Sequence, residues 1–306
     1  MRGFIFSRIL RAAIVILGLI IVTFLLTRTF SDPARLMLPL DAPEADYLAL
    51  RGELGLDRPL IEQLFFFVAD AVRGDFGESV WQKTDAFALV IERVPATLML
   101  GLGATLLAIV IGFPLGLAAG RRPGSLMDRI GRQLSSIAVS VPDYWLGILL
   151  ILLFAVELGW LPTSGFGGIQ FLILPVLALA LRPIGRCAAI VREATQEQMS
   201  QRYIVTARSK GLTETDVVRR HLIKNVIPVA LTVLAYDFVF IFTGYAAYVE
   251  TVFEWPGVGK LAVDAVLHHD VNLIAACVFV AGVVVSVVNI VVDLVHASID
   301  RRVELA

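Results

Sequence analysis

Apolar residues fall along this chain in long blocks. Six blocks have about the length a helix needs to cross a bilayer core, roughly 20 residues. They lie at Ile9–Leu26, Thr97–Ala119, Leu134–Val156, Phe171–Val191, Val226–Val249 and Leu273–Val295. The fourth is the most interrupted, with Pro175, Pro183, Arg182 and Arg186 inside it. The pattern predicts an all-α polytopic membrane protein with six transmembrane helices. It divides the chain into a first transmembrane helix at 1–29, an external segment at 30–96 and a transmembrane core at 97–306 that contains the loop 192–225. The external segment has structure of its own. Leu54-Gly55-Leu56-Asp57-Arg58-Pro59-Leu60 reads as a turn into a helix over Ile61–Val72. Arg73-Gly74-Asp75-Phe76-Gly77 then reads as a tight turn.

Arg2, Arg8 and Arg11 ahead of the first block resemble the start of a secretory signal. That block is long for a signal core and no small-residue cleavage site follows it, so a retained helix is expected. Composition agrees with a membrane chain. Of 306 residues, 58% are hydrophobic and 17% charged, with a mean hydropathy of +0.81. Soluble domains carry about 25% charged residues. The net charge of −1 conceals an uneven distribution. Arg121, Arg122, Arg129 and Arg132 follow the second block. Arg192, Arg202, Arg208, Lys210, Arg219, Arg220 and Lys224 follow the fourth. The loops Glu157–Gln170 and Glu250–Asn272 hold only Lys260 between them. Positive residues stay inside. Both termini are therefore expected in the cytoplasm and Phe30–Ala96 outside.

Catalytic signatures are missing from the sequence. The string nearest to a G-x-x-x-x-G-K-S/T phosphate loop, Gly257-Val258-Gly259-Lys260-Leu261, has no hydroxyl for magnesium and maps to the outside. There is no H-E-x-x-H, no paired-cysteine metal motif and no G-x-S-x-G elbow. His268-His269-Asp270 makes a poor metal corner, because adjacent residues on a helix point apart. Cys187 and Cys277 read as buried thiols. No basic block of nucleic-acid type occurs. If the chain serves energised transport, ATP and Mg belong to partner subunits and no cofactor is bound by this chain.

The loop 192–225 is the most informative stretch. Tyr203-Ile204-Val205-Thr206-Ala207-Arg208-Ser209-Lys210 has helical periodicity, and Gly211 is a natural stop. Tyr203, Ala207 and Lys210 share an i, i+4, i+7 face. Such a helix either docks in a partner's groove or lies on lipid headgroups through its basic residues. The string Tyr203 to Gly211, followed by His221, Asn225 and Pro228, resembles the cytoplasmic loop of binding-protein-dependent permeases. It is specifically similar to the dipeptide/oligopeptide/nickel group, whose loop reads near Y-I-x-T-A-R-A-K-G-L. The resemblance extends through Leu54–Leu60, Arg73–Gly77 and Arg93 with Pro95, Ala96 and Thr97. It continues through Leu161-Pro162-Thr163, Leu174-Pro175 and Glu250-Thr251-Val252-Phe253 with Pro256, Gly257 and Gly259. Asn289, Asp293 and Asp300 complete it.

That resemblance implies a type I ABC importer permease fold. It implies a coupling helix, with Tyr203, Thr206, Ala207, Arg208, Lys210 and Gly211 meeting an ATPase. The partners implied are a second permease subunit, two ATPase subunits and an extracytoplasmic solute-binding protein, in a bacterial inner membrane. The cargo implied is peptides or related small solutes. A passive channel or a secondary transporter subunit is the alternative. The chain departs from the group's pattern at three places. Arg202 replaces an acidic residue, His268-His269-Asp270-Val271 replaces R-D-Y-P, and Arg182 and Arg186 replace apolar residues.

Two further features stand apart from these motifs. Gly112, Gly116 and Gly120 form a small-residue stripe suited to close helix packing. Arg182 lies 11 residues after Phe171, and Asp237 lies 10 after Ile227. At ~1.5 Å per residue both sit roughly 15 Å deep. They are candidates for the solute path, either as a structural ion pair or as contacts for the two ends of a zwitterionic solute.

Overall fold

The computed structural model describes residues 2–30, 34–35, 38, 43–53 and 55–299. Leu54 and Asp300, both in the motifs above, lie outside the described residues. The elements are α1 (Arg2–Phe30), α2 (Glu44–Glu53), α3 (Leu60–Arg73), α4 (Ala86–Arg121), α5 (Leu126–Ser140) and α6 (Asp143–Glu157). They continue with α7 (Ile169–Met199), α8 (Arg202–Ser209), α9 (Glu214–Val252), α10 (Val258–Leu267) and α11 (Val271–Ile299).

Among the described residues, five helices are long and apolar enough to span a membrane, and a sixth span is broken. The pattern predicts one run over Leu134–Val156. The structure instead joins α5 and α6 across a bend of 101°. Pro142 is the cause. It lacks an amide hydrogen and disfavours helical geometry in the residue before it, and Val141 is extended with φ −90° and ψ 121°. Pro95, Pro175, Pro183 and Pro228 sit inside continuous helices. A π-turn at Ala108–Gly112 in α4 takes up an extra residue, and α9 is kinked at Gly244, whose φ of 149° is non-helical.

The chain forms two compact units. One comprises 1–95 and 260–290, the other 96–259 and 291–306. In the first, α3 ends at Gly74 with φ +79°, a left-handed stop that glycine adopts without steric cost. Phe24 of α1 lies 5.5 Å from Phe67 of α3, ring to ring. The turn after α3 leads into a short hairpin held by a bridge between Glu78 and Asp85. The hairpin is tied to the start of α11 by Asp270. Its carboxylate accepts from Ser79 Oγ at 2.5 Å and from the Trp81 and Leu273 amides at 3.1 Å. Trp81 stacks on His268 at 4.1 Å. The unusual His268-His269-Asp270 string is thus an anchor for this hairpin.

In the second unit α7 is the most buried span and packs against α4, α5, α6 and α9. The glycine stripe brings α4 and α7 together backbone to backbone. A methyl group built on Gly112, Gly116 or Gly120 would lie 2.7, 2.6 or 2.6 Å from the carbonyl oxygens of Ile184, Ala188 and Arg192. Those three residues recur every four positions along α7, so one glycine row faces one carbonyl row. Gly185 plays the same part toward α5, where Ser135 Oγ donates to its carbonyl at 2.7 Å.

At the far end of α9, Glu250 is fully buried. It accepts from Thr97 Oγ1 at 2.6 Å, and that hydroxyl accepts from the Val258 amide at 2.9 Å. Trp255 Nε1 donates to the Ala96 carbonyl at 3.0 Å. Gly257 is required there, because an added methyl would fall 2.0 Å from Glu250 Oε1. Motifs separated by about 150 residues of chain thereby share one hydrogen-bonded knot.

Candidate functional site

Two places in the second unit carry chemistry: the loop around α8 and a polar cluster between α6, α7 and α9. The loop is a small folded unit. α8 starts after Gln201, ends at Lys210, and is closed by Gly211 at φ +80° with the Leu212 amide donating to the Ala207 carbonyl at 3.3 Å. Its inner side is apolar. Ile204, Ala207 and Val217 bury one another, flanked by Tyr203 and Leu212. Tyr203 Oη donates to Gln198 at 2.7 Å and accepts from Asn225 at 3.0 Å. α8 is thereby fastened to the end of α7 and the early turns of α9. Arg208 grips Glu214 through two nitrogens, at 2.7 and 3.2 Å. This bidentate pair raises the Arg208 pKa further, so its charge is fixed.

The expected contact residues separate into two sets. Ala207 is 4% exposed and faces the loop's own core, and Tyr203 is half-buried with its hydroxyl committed. Thr206, Arg208, Lys210 and Gly211 are exposed. The free face of α8 is formed by Arg202, Val205, Thr206 and Ser209 at i, i+3, i+4 and i+7. Val205, 58% exposed, is its apolar centre. Sequence spacing placed Tyr203, Ala207 and Lys210 together. Which side turns inward was decided by Val217, which approaches from the next helix.

On the same side of the second unit, Asp128 is buried and bound by Arg192 Nε. It also accepts from the Gly124 amide at 2.7 Å and lies 3.3 Å from Arg132. This joins α7 to the turn between α4 and α5. Asp128 went unnoticed in the sequence because its partners are spread over the loop and two helices.

The polar cluster holds Arg182 and Asp237, the two expected solute-path residues, but does not pair them with each other. Asp237, 2% exposed, bonds Arg186 at 2.5 Å. Arg186 is one turn beyond Arg182 on the same face of α7, and depth counted from span ends is good only to about one turn. Arg182 instead lies over the rings of Tyr245 and Phe240, with its guanidinium 5.1 and 5.8 Å from their centroids. Arg186 lies 5.1 Å from the ring of Tyr236. Tyr236 and Phe240 stack on each other and are exposed on this unit. Beside Tyr245 is Asp143, the first residue of α6, 3% exposed. The Tyr245 side chain engages both Asp143 and Arg182, while Arg182 Nε and Asp237 Oδ2 have no hydrogen-bond partner in the structure. Asp143 was not singled out in the sequence. It follows Pro142, and only the bend there carries it to Tyr245.

Comparison with known proteins adds to this geometry. Residues 112–305 match the family described as "Binding-protein-dependent transport system inner membrane component". Residues 1–101 match "Binding-prot-dependent transport system membrane comp, N-term". The oligopeptide transport system permease protein AppB of Bacillus subtilis (strain 168) is 33% identical over 316 residues, covering 99% of this chain and 100% of that protein. The glutathione transport system permease protein GsiC of Salmonella choleraesuis (strain SC-B67) is 34% identical over 307 residues, covering 99% of both. Among solved structures, the MetNI methionine ABC transporter in inward-facing conformations superposes with a TM-score of 0.57 at 18% identity, over 69% of this chain and 96% of that one. An amino acid ABC transporter crystallised with histidines gives 0.52 at 18% identity, over 69% of this chain and 94% of that one. These likenesses carry the type I importer permease fold. The six apolar spans, the anchored loop helix and the two family matches together make this chain a member of the binding-protein-dependent transport system inner membrane component family, a multi-pass permease of an ABC importer.

Proposed function

We propose that this permease imports short peptides or related small solutes, handed over by an extracytoplasmic solute-binding protein, and that α8 couples it to ATP hydrolysis on two partner ATPase subunits. A second, non-identical permease subunit completes the path, and both termini face the cytoplasm. The relatives named for oligopeptide and glutathione transport support the cargo class. The observation that carries the coupling role is the free face of α8. It is a short amphipathic surface whose inner side is already occupied by its own core.

A helix with one apolar residue ringed by Arg202, Thr206 and Ser209 suits an apolar cleft with a polar rim. Its fastening through Tyr203, Gln198 and Asn225 lets it move with α7 and α9 as a rigid body. ATP and Mg sit on the ATPases, and this chain supplies no bond chemistry. Arg202 calls for an acidic group on the ATPase side. The exposed apolar faces of the spans contact lipid and the second permease. Arg182, together with the Arg186–Asp237 pair, lines the solute path, because ionisable groups at mid-span belong in wet cavities or bundle interiors.

The test is Val205→Glu in the assembled transporter. A carboxylate placed at the centre of an apolar cleft costs on the order of several kcal/mol, so the ATPases should no longer co-purify. Expression and thermal stability of the permease should stay unchanged, because Val205 touches no core. Full ATPase recovery with normal uptake of a tripeptide by the Val205→Glu complex rejects the coupling role. Absence of tripeptide-stimulated ATP hydrolysis in the wild-type complex with its binding protein rejects the cargo class.

A further inference from the structure

The polar cluster at mid-span holds two cations and two anions, and they do not divide evenly. Arg186 and Asp237 neutralise one another directly at 2.5 Å. Arg182 and Asp143 are left, each touching Tyr245 and neither hydrogen-bonded to the other. A carboxylate that is 3% exposed and forms no ion pair among the described residues is costly, and so is a guanidinium with a buried unpartnered nitrogen. A structural bridge would have closed these two groups on one another, as Arg186 and Asp237 did. Both instead meet Tyr245, and the guanidinium also faces the Phe240 ring, so a cationic and an anionic station share one aromatic neighbour.

We infer that Arg182 and Asp143 are a two-ended contact for a zwitterionic solute, with Arg182 taking a carboxylate and Asp143 an ammonium group. Arg186–Asp237 is the structural pair that holds α7 to α9 beside it. This rests on the solute-path reading above and refines it. The anionic station is Asp143, on α6, and Asp237 is already engaged. A planar guanidinium receives a carboxylate through two parallel hydrogen bonds. A primary ammonium matches a carboxylate that has no ion pair among the described residues. Neither end need be stripped of all partners as the solute passes, which keeps the station weak enough for release.

The experiment uses the complete reconstituted transporter with Cys187 and Cys277 changed to alanine and one probe thiol, Phe240→Cys. Labelling rates are compared for a small anionic and a small cationic methanethiosulfonate reagent. In the parent the two opposed charges balance, and the rates should agree within about twofold. A unit charge ~6 Å away is worth about 0.7 kcal/mol, several-fold in local ion concentration, even at the dielectric of bulk water. Asp143→Asn should therefore favour the anionic reagent by about fivefold or more, and Arg182→Gln the cationic one by a similar factor. In the Arg182→Gln/Asp143→Asn double variant the ratio should return to the parent's.

A thiol that resists both reagents, or a ratio that neither single change moves, overturns the inference. If a single variant does not assemble, the parent decides. Trialanine should slow labelling of Phe240→Cys, and its N-acetyl and C-amide derivatives should not. Equal protection by all three, or by none, also overturns it. A wild-type complex whose ATP hydrolysis ignores trialanine, yet whose labelling ratio shifts with both charge changes, would reject the peptide reading and leave this station standing.

Discussion

Gly116→Ala tests whether the α4–α7 contact is as close as the structure has it. The new methyl would lie 2.6 Å from the Ala188 carbonyl oxygen and 2.8 Å from Val191 Cβ. Carbon–oxygen contacts settle at about 3.3 Å or more, so the methyl arrives roughly 0.7 Å too close. Backbone cannot rotate aside as a side chain can. Gly112 and Gly120 flank the site with equally short approaches, of 2.7 and 2.6 Å to carbonyl oxygens, so the helices must part over three turns. Overpacking of this kind costs about 1–3 kcal/mol, and the backbone contact places it at the upper end. Alanine's better helix propensity returns about 1 kcal/mol. The net expectation is a loss of about 2 kcal/mol.

Gly131→Ala is the matched control, since its methyl would meet Ala119 Cβ at an ordinary 3.5 Å. That change should be neutral or stabilising by up to about 1 kcal/mol. The assay is thermal inactivation of the detergent-solubilised transporter, read as the fraction that remains monodisperse. If the Gly116→Ala and Gly131→Ala complexes melt together, the backbone-to-backbone packing of α4 on α7 is wrong.

Two further outcomes follow from named contacts. Asp237→Asn leaves Arg186 charged and half-buried without its partner, which should cost about 3–5 kcal/mol and depress membrane yield. The exchange of Arg186→Asp with Asp237→Arg should restore yield, and failure of the exchange to rescue would deny the pair a structural role. Thr97→Val removes the hydroxyl that joins Glu250 to the Val258 amide, with an expected loss of about 1–3 kcal/mol for each group left without it. Thr97→Ser should keep most of the stability, and equal melting of the Val and Ser variants would refute the knot.

The sequence by itself determined whatever depends on neighbours along one helix. Apolar block length identified the spans, because a bilayer leaves a backbone no other way to satisfy its hydrogen bonds. Gly211 marked the end of α8, because only a residue free to take positive φ closes a helix in that manner. The glycine spacing in α4 announced a close helix neighbour, although α7 as that neighbour was not legible.

Tertiary structure decided what depends on the meeting of separate helices. Periodicity put Ala207 on a face of α8, but Val217 made that face the inner one. Hydropathy read Leu134–Val156 as one span, since a window average does not register the extended Val141 ahead of Pro142. Matched depth set Asp237 against Arg182, whereas crossing geometry gave it to Arg186, one turn away. Asp143 gained its importance only from the bend that carries the start of α6 to Tyr245. Side chains of this length reach over about one helical turn, so their partners are chosen by helix crossing and rotation, which no pattern along a single chain records.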